Sequence, residues 1–152
     1  MSLQQQIKDD LKASMREKNA VKVSVLRNIT SEITNQLLKE GQTPQGALAD
    51  ESVQNVIERL AKQRRESVQQ YEQNDRPEAA LQEKQELEVL EAYLPEKMSE
   101  DEVRVIVIEK IKETGASSPS DIGKVMGPIM QALKGKADGE TVKKVVTEEL
   151  SA

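Results

Sequence analysis

Two glycine–lysine segments near the end of the chain contain the residue types best suited to binding. They are Gly123-Lys124-Val125-Met126-Gly127 and Lys134-Gly135-Lys136-Ala137-Asp138-Gly139, which place four glycines and three lysines within seventeen residues. A glycine in a helix costs about 1 kcal/mol relative to alanine, so it usually has a packing reason or allows a close approach. An open backbone with mobile cations beside it would suit an anionic partner.

A purely structural interpretation of the same residues remains open. Gly123 and Gly127 are four residues apart, so they share a helix face and could permit close helix packing. Gly135 would be the C′ residue of that helix, and Gly139 would lie in the first turn of the next. Lysines near a helix C-terminus are favourable in any case. The segments are not a P-loop, because the order Gly-x-x-x-x-Gly-Lys-Ser/Thr is missing.

The composition excludes most catalytic chemistry. The chain has 152 residues with no cysteine and no histidine, which excludes disulfides, thiolate nucleophiles, zinc sites and histidine acid–base catalysis. Serine and lysine are present, but no segment predicts the strand–turn–helix elbow that would expose a nucleophilic serine. Carboxylates are spread over helix surfaces without the spacing of an EF-hand. We therefore expect no catalytic residues, no metal site and no cofactor.

Charge and aromatic content limit the possible modes of nucleic-acid binding. The chain has 22 Lys and Arg against 27 Asp and Glu, a net charge of −5. This balance argues against a protein that coats DNA non-specifically, although a local basic patch remains compatible with it. Tyr71 and Tyr93 are the only aromatic residues. Stacking of single-stranded bases on aromatic platforms is therefore nearly excluded.

Charge is segregated along the chain. The basic stretch, residues 11–31, has a net charge of +4, and the acidic stretch, residues 72–91, has a net charge of −5. One interpretation is that the two stretches form solvated faces that attract each other within a bundle. The alternative is a polarised surface that orients a charged partner.

The elements that must position these residues are all predicted to be helices. The apolar pattern has a period near 3.6 and predicts an all-α fold, with a bundle of about four helices over residues 1–94 and a compact three-helix tail over residues 95–152. Pro95 ends the fourth helix and marks the boundary. Residues 99–114 are rich in Val and Ile, so a strand competes there, but a Ser99–Glu102 capping box favours helix.

Capping residues predict where the helices begin. The candidates are Ser2 with Gln5, Asn19, Asp50, Asp75 with Glu78, Ser99 with Glu102, Ser118 with Pro119 and Asp121, and Asp138. The fourth helix has Leu81, Leu87, Leu90 and Leu94 as core candidates. Pro128 lies inside the predicted helix from Ile122 to Leu133, where it frees the carbonyl of Lys124 and predicts a bend.

No membrane-spanning segment is expected. The longest apolar run, from Val105 to Ile108, has only four residues, whereas a spanning helix needs about 20. The N-terminus also lacks the apolar core of a signal peptide. These features predict a cytoplasmic protein.

The order of several short motifs resembles the YqeY-like family. The motifs are Leu94-Pro95-Glu96, Ser99-Glu100-Asp101-Glu102, Gly115-Ala116-Ser117-Ser118 and the two glycine–lysine segments, with Val25-Leu26-Arg27 and Lys62-Gln63-Arg64-Arg65 as modest anchors upstream. The resemblance runs over the whole chain and is most specific from Leu94 onward. That family is similar to the C-terminal region of the B subunit of the tRNA-dependent glutamyl/aspartyl amidotransferase.

The resemblance implies a helical domain whose three-helix tail helps to hold tRNA. In the amidotransferase the chemistry occurs in separate domains, which cannot fit in this chain, so a carbon–nitrogen ligase label would be inherited without the activity. Pro128 departs from the family pattern and could kink the surface. Carried over to this sequence, the tRNA-facing residues would be Gly123, Lys124, Gly127, Lys134, Gly135, Lys136 and Lys143.

Three functions follow from these observations. The leading hypothesis is an accessory module that binds tRNA or another structured RNA through backbone and shape. The second is a protein-interaction module that docks on a translation or amidotransferase component. An enzyme is the least favoured, because no catalytic constellation is present.

Overall fold

The computed structural model describes residues 1–151, and most of them are helical. The helices are α1 (Leu3–Arg16), α2 (Ala20–Lys39), α3 (Asp50–Gln73), α4 (Pro77–Glu91), α5 (Glu100–Thr114), α6 (Ile122–Leu133) and α7 (Gly139–Ser151), with a 3₁₀ turn at Pro119–Asp121. No strand occurs in this described range. The all-α prediction is confirmed, including a helix rather than a strand after Ser99.

The helices separate into two compact units, of which the first is Met1–Leu94 and the second begins at Pro95. In the first unit α1 packs on α2 and α3, and α3 runs alongside α4. Its core is aliphatic and is drawn from all four helices and the loop before α3. The buried residues are Ile7, Val25, Leu26, Ile29, Ile33, Leu37, Leu48, Val53, Val56, Ile57, Leu60, Ala61 and Leu90.

The loop between α2 and α3 is attached to α1 by side-chain hydrogen bonds. The amide oxygen of Gln4 accepts from the backbone N–H of Leu48 at 2.9 Å, and its amide nitrogen donates to the carbonyl of Gly46 at 3.2 Å. Asp50 Oδ1 accepts from the N–H of Leu3 at 2.9 Å. The predicted capping of α3 by Asp50 is wrong, because this carboxylate satisfies a donor at the start of α1 instead.

Several other predicted helix starts are confirmed. Asn19 Oδ1 accepts from Lys22 N–H, and Ser99 with Glu102 forms the complete capping box. The prediction for Asp75 and Glu78 is wrong: Arg76 is the N-cap residue of α4, without a side-chain cap. Pro77 occupies the first helical position, where no N–H is needed.

The predicted core position at Leu81 is also wrong. Its side chain is 57% exposed, whereas the neighbouring Ala80 is buried. Leu81 lies about half a turn from Leu90 on α4, at 100° per residue, so it faces away from the core when Leu90 points inward.

The acidic stretch finds its partners on α3. Arg64 Nη1 is 3.2 Å from Glu83 Oε2, and Arg65 Nη2 is 3.3 Å from Glu91 Oε1. In the part of the chain that the structure describes, no ion pair within 4.0 Å joins the acidic stretch to the basic stretch. The ion pairs of the acidic stretch are therefore made with α3, and the cations of the basic stretch are exposed.

The second unit packs α5 and α6 against α7. Its core contains Val103, Val107, Val125, Ile129, Leu133, Ala137, Val142, Val145, Val146 and Leu150. Gly115 ends α5 in the left-handed conformation with φ of 70°, which glycine adopts without a steric penalty.

Arg104 connects α5 with α7 on the surface of this unit. Its guanidinium lies 2.6 Å from Glu148 and 2.6 Å from Glu149, and 3.2 Å from Glu100 on its own helix. Hydrogen bonds from Arg104 lower the pKa of Glu148 below its ordinary value.

None of the helices within residues 1–151 is both long and apolar enough to cross a membrane.

Candidate nucleic-acid interface

One exposed stripe of α6 carries the first predicted site residues. Gly123, Gly127, Met130 and Lys134 follow one another at three- and four-residue intervals, so they lie on one side of the helix. Val125, Ile129 and Leu133 occupy the opposite side and are buried in the core. The buried stripe fixes the rotation of α6, and this rotation exposes the glycines.

The two glycines of this stripe face open space. A Cβ atom built on Gly123 or Gly127 would meet no atom within 4 Å, apart from the helix's own backbone and the adjacent residues. The close helix packing that the spacing allowed is therefore not their role within residues 1–151. The following proline partly explains why position 127 is a glycine, because a residue with a side chain is disfavoured in a helix directly before Pro128. No such reason applies to Gly123.

Pro128 is accommodated inside α6, which runs from Ile122 to Leu133. Because proline has no N–H, the carbonyl of Lys124 loses its intrahelical donor. That carbonyl belongs to a residue with an exposed side chain. The α6 surface thus has both bare backbone at the glycines and a carbonyl without its helical partner.

Lys124 lies on an adjacent face of α6. Its ammonium is 3.5 Å from Asp121 Oδ1, and its side chain is 76% exposed. Asp121 is held by the 3₁₀ turn, since its Oδ2 accepts from the N–H of Ser117 at 3.0 Å and of Ser118 at 3.3 Å. These bonds, and then the charge of Lys124, lower the pKa of Asp121. Lys124 is therefore the one predicted site lysine with an ion-pair partner in the described range.

The connection from α6 to α7 presents the next three predicted residues. Gly135 has φ of 76°, which confirms the left-handed C′ position. The carbonyl of Lys136 accepts from Met98 N–H at 2.8 Å, and its own N–H donates to Leu133 at 2.9 Å. The backbone is therefore anchored, while the side chains of Lys134 and Lys136 are exposed without an ion pair in residues 1–151.

Lys143 lies on α7 one turn after Gly139, also exposed. A Cβ atom built on Gly139 would lie 3.4 Å from Met130 Cε, so the α6 stripe adjoins the start of α7. Sequence reasoning missed Met130, although its spacing from Gly123 and Gly127 places it on their face.

The local charge differs in sign from that of the whole chain. Residues 122–144 contain five lysines against Asp138 and Glu140, a net charge of +3, whereas the chain has −5. Asp138 Oδ1 is used as a cap, accepting from Glu140 N–H at 3.2 Å. We call Gly123, Lys124, Gly127, Met130, Lys134, Gly135, Lys136 and Lys143 the glycine–lysine surface. Its chemistry suits contacts with phosphate oxygens.

The first unit has a groove of about 350 Å³ between α1, α2 and the end of α4. The polar side chains that line it are Gln6, Asp10, Ser14, Glu17, Lys22 and Tyr93. In residues 1–151, no three acidic side chains gather closely enough to hold a metal ion.

Comparison with known proteins identifies relatives over nearly the whole chain. The family model described as "Yqey-like protein" matches residues 4–150. The curated relatives include three yeast proteins named "Altered inheritance of mitochondria protein 41, mitochondrial". The Candida glabrata protein is 31% identical over 75% of this chain and 63% of its own length. The Vanderwaltozyma polyspora protein is 32% identical over 58% of this chain and 46% of its own length.

The Saccharomyces cerevisiae protein is 30% identical over 95% of this chain and 65% of its own length. The chain thus spans less than two thirds of these relatives.

Proposed function

The chain belongs to the Yqey-like protein family, and from this membership and the glycine–lysine surface we propose that it is an accessory module that binds tRNA or another structured RNA, without a catalytic centre of its own. The similarity to the tail of the amidotransferase B subunit is part of this proposal. The activity and partners of the longer relatives are not carried over.

The observation that carries the proposal is the open helix face at Gly123. Gly123 is the second residue of α6, and Gly127 lies in the interior of the helix, where a glycine costs about 1 kcal/mol. A Cβ atom at either position would meet nothing within 4 Å, so packing within residues 1–151 gives no reason for either glycine. A partner that needs direct contact with the helix backbone would account for both. The nearby lysines lack ion pairs, so the partner they attract would be negatively charged.

RNA is the polyanion that fits best. The chain lacks Phe and Trp, so it cannot splay and stack several bases, and recognition would rest on phosphates, 2′-hydroxyls and shape. A structured RNA presents these groups at fixed positions, which matches a rigid helix face better than a flexible single strand does.

A filter-binding titration with total tRNA at two salt concentrations tests the proposal. Lys124→Ala, Lys134→Ala and Lys136→Ala together should weaken binding and reduce the log–log salt slope by roughly one unit per lost phosphate contact. A matched control removes three other exposed lysines, Lys39, Lys62 and Lys112, and should keep the parental slope.

Two results would contradict the proposal. Parental binding and slope in the tail triple variant would place the RNA site elsewhere. A parent protein without salt-sensitive tRNA binding would give first place to the protein-interaction alternative.

That alternative is favoured by one observation on α5. Val105 is 66% exposed and offers an apolar contact point, although a single exposed apolar residue is also common on protein surfaces. A partner from the translation or amidotransferase machinery could cover it. Co-purification from cells with and without ribonuclease separates the two functions, because a protein partner held directly would survive the treatment.

We also propose a cytoplasmic location. The yeast relatives carry "mitochondrial" in their names, so fractionation of cells expressing the protein is the direct test. Recovery in an organelle fraction would overturn this part of the proposal.

A further inference from the structure

A second exposed row of cations lies on α1, in the unit that does not carry the glycine–lysine surface. Lys8, Lys12 and Arg16 are spaced four residues apart, so they share one face of the helix. All three are exposed, and none has an ion pair in the described part of the chain. We call these three residues the α1 basic stripe.

The acidic residues beside the stripe are directed to other partners. Asp9 Oδ1 accepts from Gln5 Nε2 at 3.0 Å, and Asp10 Oδ2 accepts from the Tyr93 hydroxyl at 2.5 Å. Elsewhere in the same unit the arginines of α3 are ion-paired with Glu32, Glu58, Glu83, Glu86 and Glu91. The three aligned cations thus leave a local positive charge on α1 in a chain with net charge −5.

The opposite face of α1 is already used by the fold. Ile7 is fully buried, and Leu3 and Leu11 pack against the core of the first unit. The helix therefore has no free apolar face to insert into a bilayer, which a membrane-surface helix requires. A protein partner is also disfavoured, because lysine is depleted at protein interfaces and the stripe offers no aromatic anchor.

The spacing suits a phosphate backbone. Successive cations are about 6 Å apart along the axis, from four residues at 1.5 Å each. This step is of the same order as the separation of neighbouring phosphates in one strand of A-form RNA. Three side chains on one helix face can therefore contact consecutive phosphates without bending the strand sharply.

From this geometry we infer that the α1 basic stripe is a second phosphate-contacting surface, which binds the sugar–phosphate backbone of the same structured RNA as the glycine–lysine surface. The inference rests on the proposed function and adds the first unit to the RNA interface.

The test uses the full chain and fluorescence anisotropy with labelled tRNA over a salt series. Lys8→Gln, Lys12→Gln and Arg16→Gln together should lower the log–log salt slope by about 2 to 3 units. Combining them with the tail variant at Lys124, Lys134 and Lys136 should remove both contributions additively, since both surfaces contact one RNA.

Two further variants act as controls. The exchange of Lys8→Arg, Lys12→Arg and Arg16→Lys keeps the charge and should keep the slope. The Lys39, Lys62 and Lys112 triple variant, changed to Gln, removes the same number of charges elsewhere and should also keep it. Circular dichroism melts verify that each variant is folded.

The outcomes separate the inference from the proposed function. An unchanged slope in the α1 variant, with a reduced slope in the tail variant, overturns the inference and supports the function. A reduced slope in the α1 variant alone overturns the glycine–lysine surface as an RNA site and, with it, the inference that the two surfaces share one RNA. A parent without salt-sensitive tRNA binding overturns both. Binding of the parent to phosphatidylserine vesicles that is lost in the α1 variant, with tRNA binding unchanged, identifies a membrane instead.

Discussion

The hydroxyl of Tyr93 donates a hydrogen bond of 2.5 Å to Oδ2 of Asp10, 83 residues away in the chain. It joins the turn after α4 to α1 and lies beside the 350 Å³ groove. Burial, followed by the hydrogen bond and the charge of Asp10, raises the pKa of Tyr93 above its usual value. The protonated phenol is therefore the form that the folded state favours.

Tyr93→Phe should lower the free energy of unfolding by about 1–2 kcal/mol at neutral pH, because it removes a hydrogen bond to a charged group. Because the pKa of Tyr93 is higher in the folded state, protonated Tyr93 stabilises the fold fully below its unfolded-state pKa of about 10. This stabilisation is lost as the pH rises above that value. The difference between parent and variant should therefore shrink in alkaline solution. Urea unfolding at pH 7 and above pH 10 measures it.

Tyr71→Phe is the matched control for this prediction. The Tyr71 ring lies 5.4 Å from the Arg76 guanidinium, and phenylalanine keeps that contact. A Tyr93→Phe effect that stayed constant across the alkaline range would contradict the proposed role of the phenol.

Arg104→Ala should lower the melting temperature of the second unit at pH 7, because α5 and α7 lose their shared ion pairs. The pKa of Glu148 is lower in the folded protein than its ordinary value near 4.3. This shift stabilises the folded state at pH values above about 4.3, and the stabilisation is lost as the pH falls through the pKa of the folded state. Parent and variant should converge in acid and in high salt. Equal differences at pH 7 and pH 3 would argue against this account.

Gly123→Ala should make the protein more stable and its RNA binding weaker. Alanine is a better helix former than glycine, although the gain at the second residue of α6 is below the ~1 kcal/mol of a helix interior, and the added Cβ would meet no atom within 4 Å. The same methyl group would separate an RNA backbone from α6. Thermal melts and tRNA titrations of one preparation give both values.

Gly115→Ala is the control for this opposite response. Its φ of 70° is strained for alanine, so that variant should lose stability without a specific effect on RNA. If Gly123→Ala gained stability and bound tRNA as the parent does, close approach would not be the role of Gly123.

Core truncations should act on the two units separately. Leu26 and Ile129 belong to clusters that share no residue, and replacing either by alanine should cost about 2–5 kcal/mol. Hydrogen exchange should accelerate in the first unit for Leu26→Ala and in the second for Ile129→Ala. Met130→Ala, an exposed neighbour of Ile129, should stay within about 0.5 kcal/mol. A uniform acceleration over both units would contradict two separate cores.

Local sequence signals predicted most of the fold. The Ser99 capping box and the left-handed Gly135 are formed within one or two turns of chain, so spacing alone predicts them. The buried stripe of α6 follows the same local rule, because Val125, Ile129 and Leu133 repeat with the helical period.

The predictions that were wrong depend on contacts between residues far apart in the sequence. Asp50 is a residue type that often caps helices, but its carboxylate accepts a hydrogen bond from the backbone N–H of Leu3, 47 residues away. Leu81 is apolar, but α4 is oriented by Leu90 and Ala80. Periodicity gives the relative angles of side chains on a helix, and only packing decides which of them face inward.

The candidate site was predictable in part. The chain order identified the glycines and lysines, but it could not show whether Gly123 faced a neighbouring helix or open space. It also could not show that Met130 reaches Gly139, or that Lys124 pairs with Asp121 while Lys134 does not. These distinctions depend on the rotation of α6 and on the path of the chain after it.

The position of the two tyrosines has an optical consequence. Both belong to the first unit, and the chain has no tryptophan. Ultraviolet absorption and intrinsic emission above 275 nm therefore come from that unit alone, and the bond to Asp10 makes the Tyr93 chromophore sensitive to its unfolding. The second unit, which carries the glycine–lysine surface, has no aromatic residue in that range of the spectrum, so the emission of a single tryptophan introduced there would report changes in that unit alone.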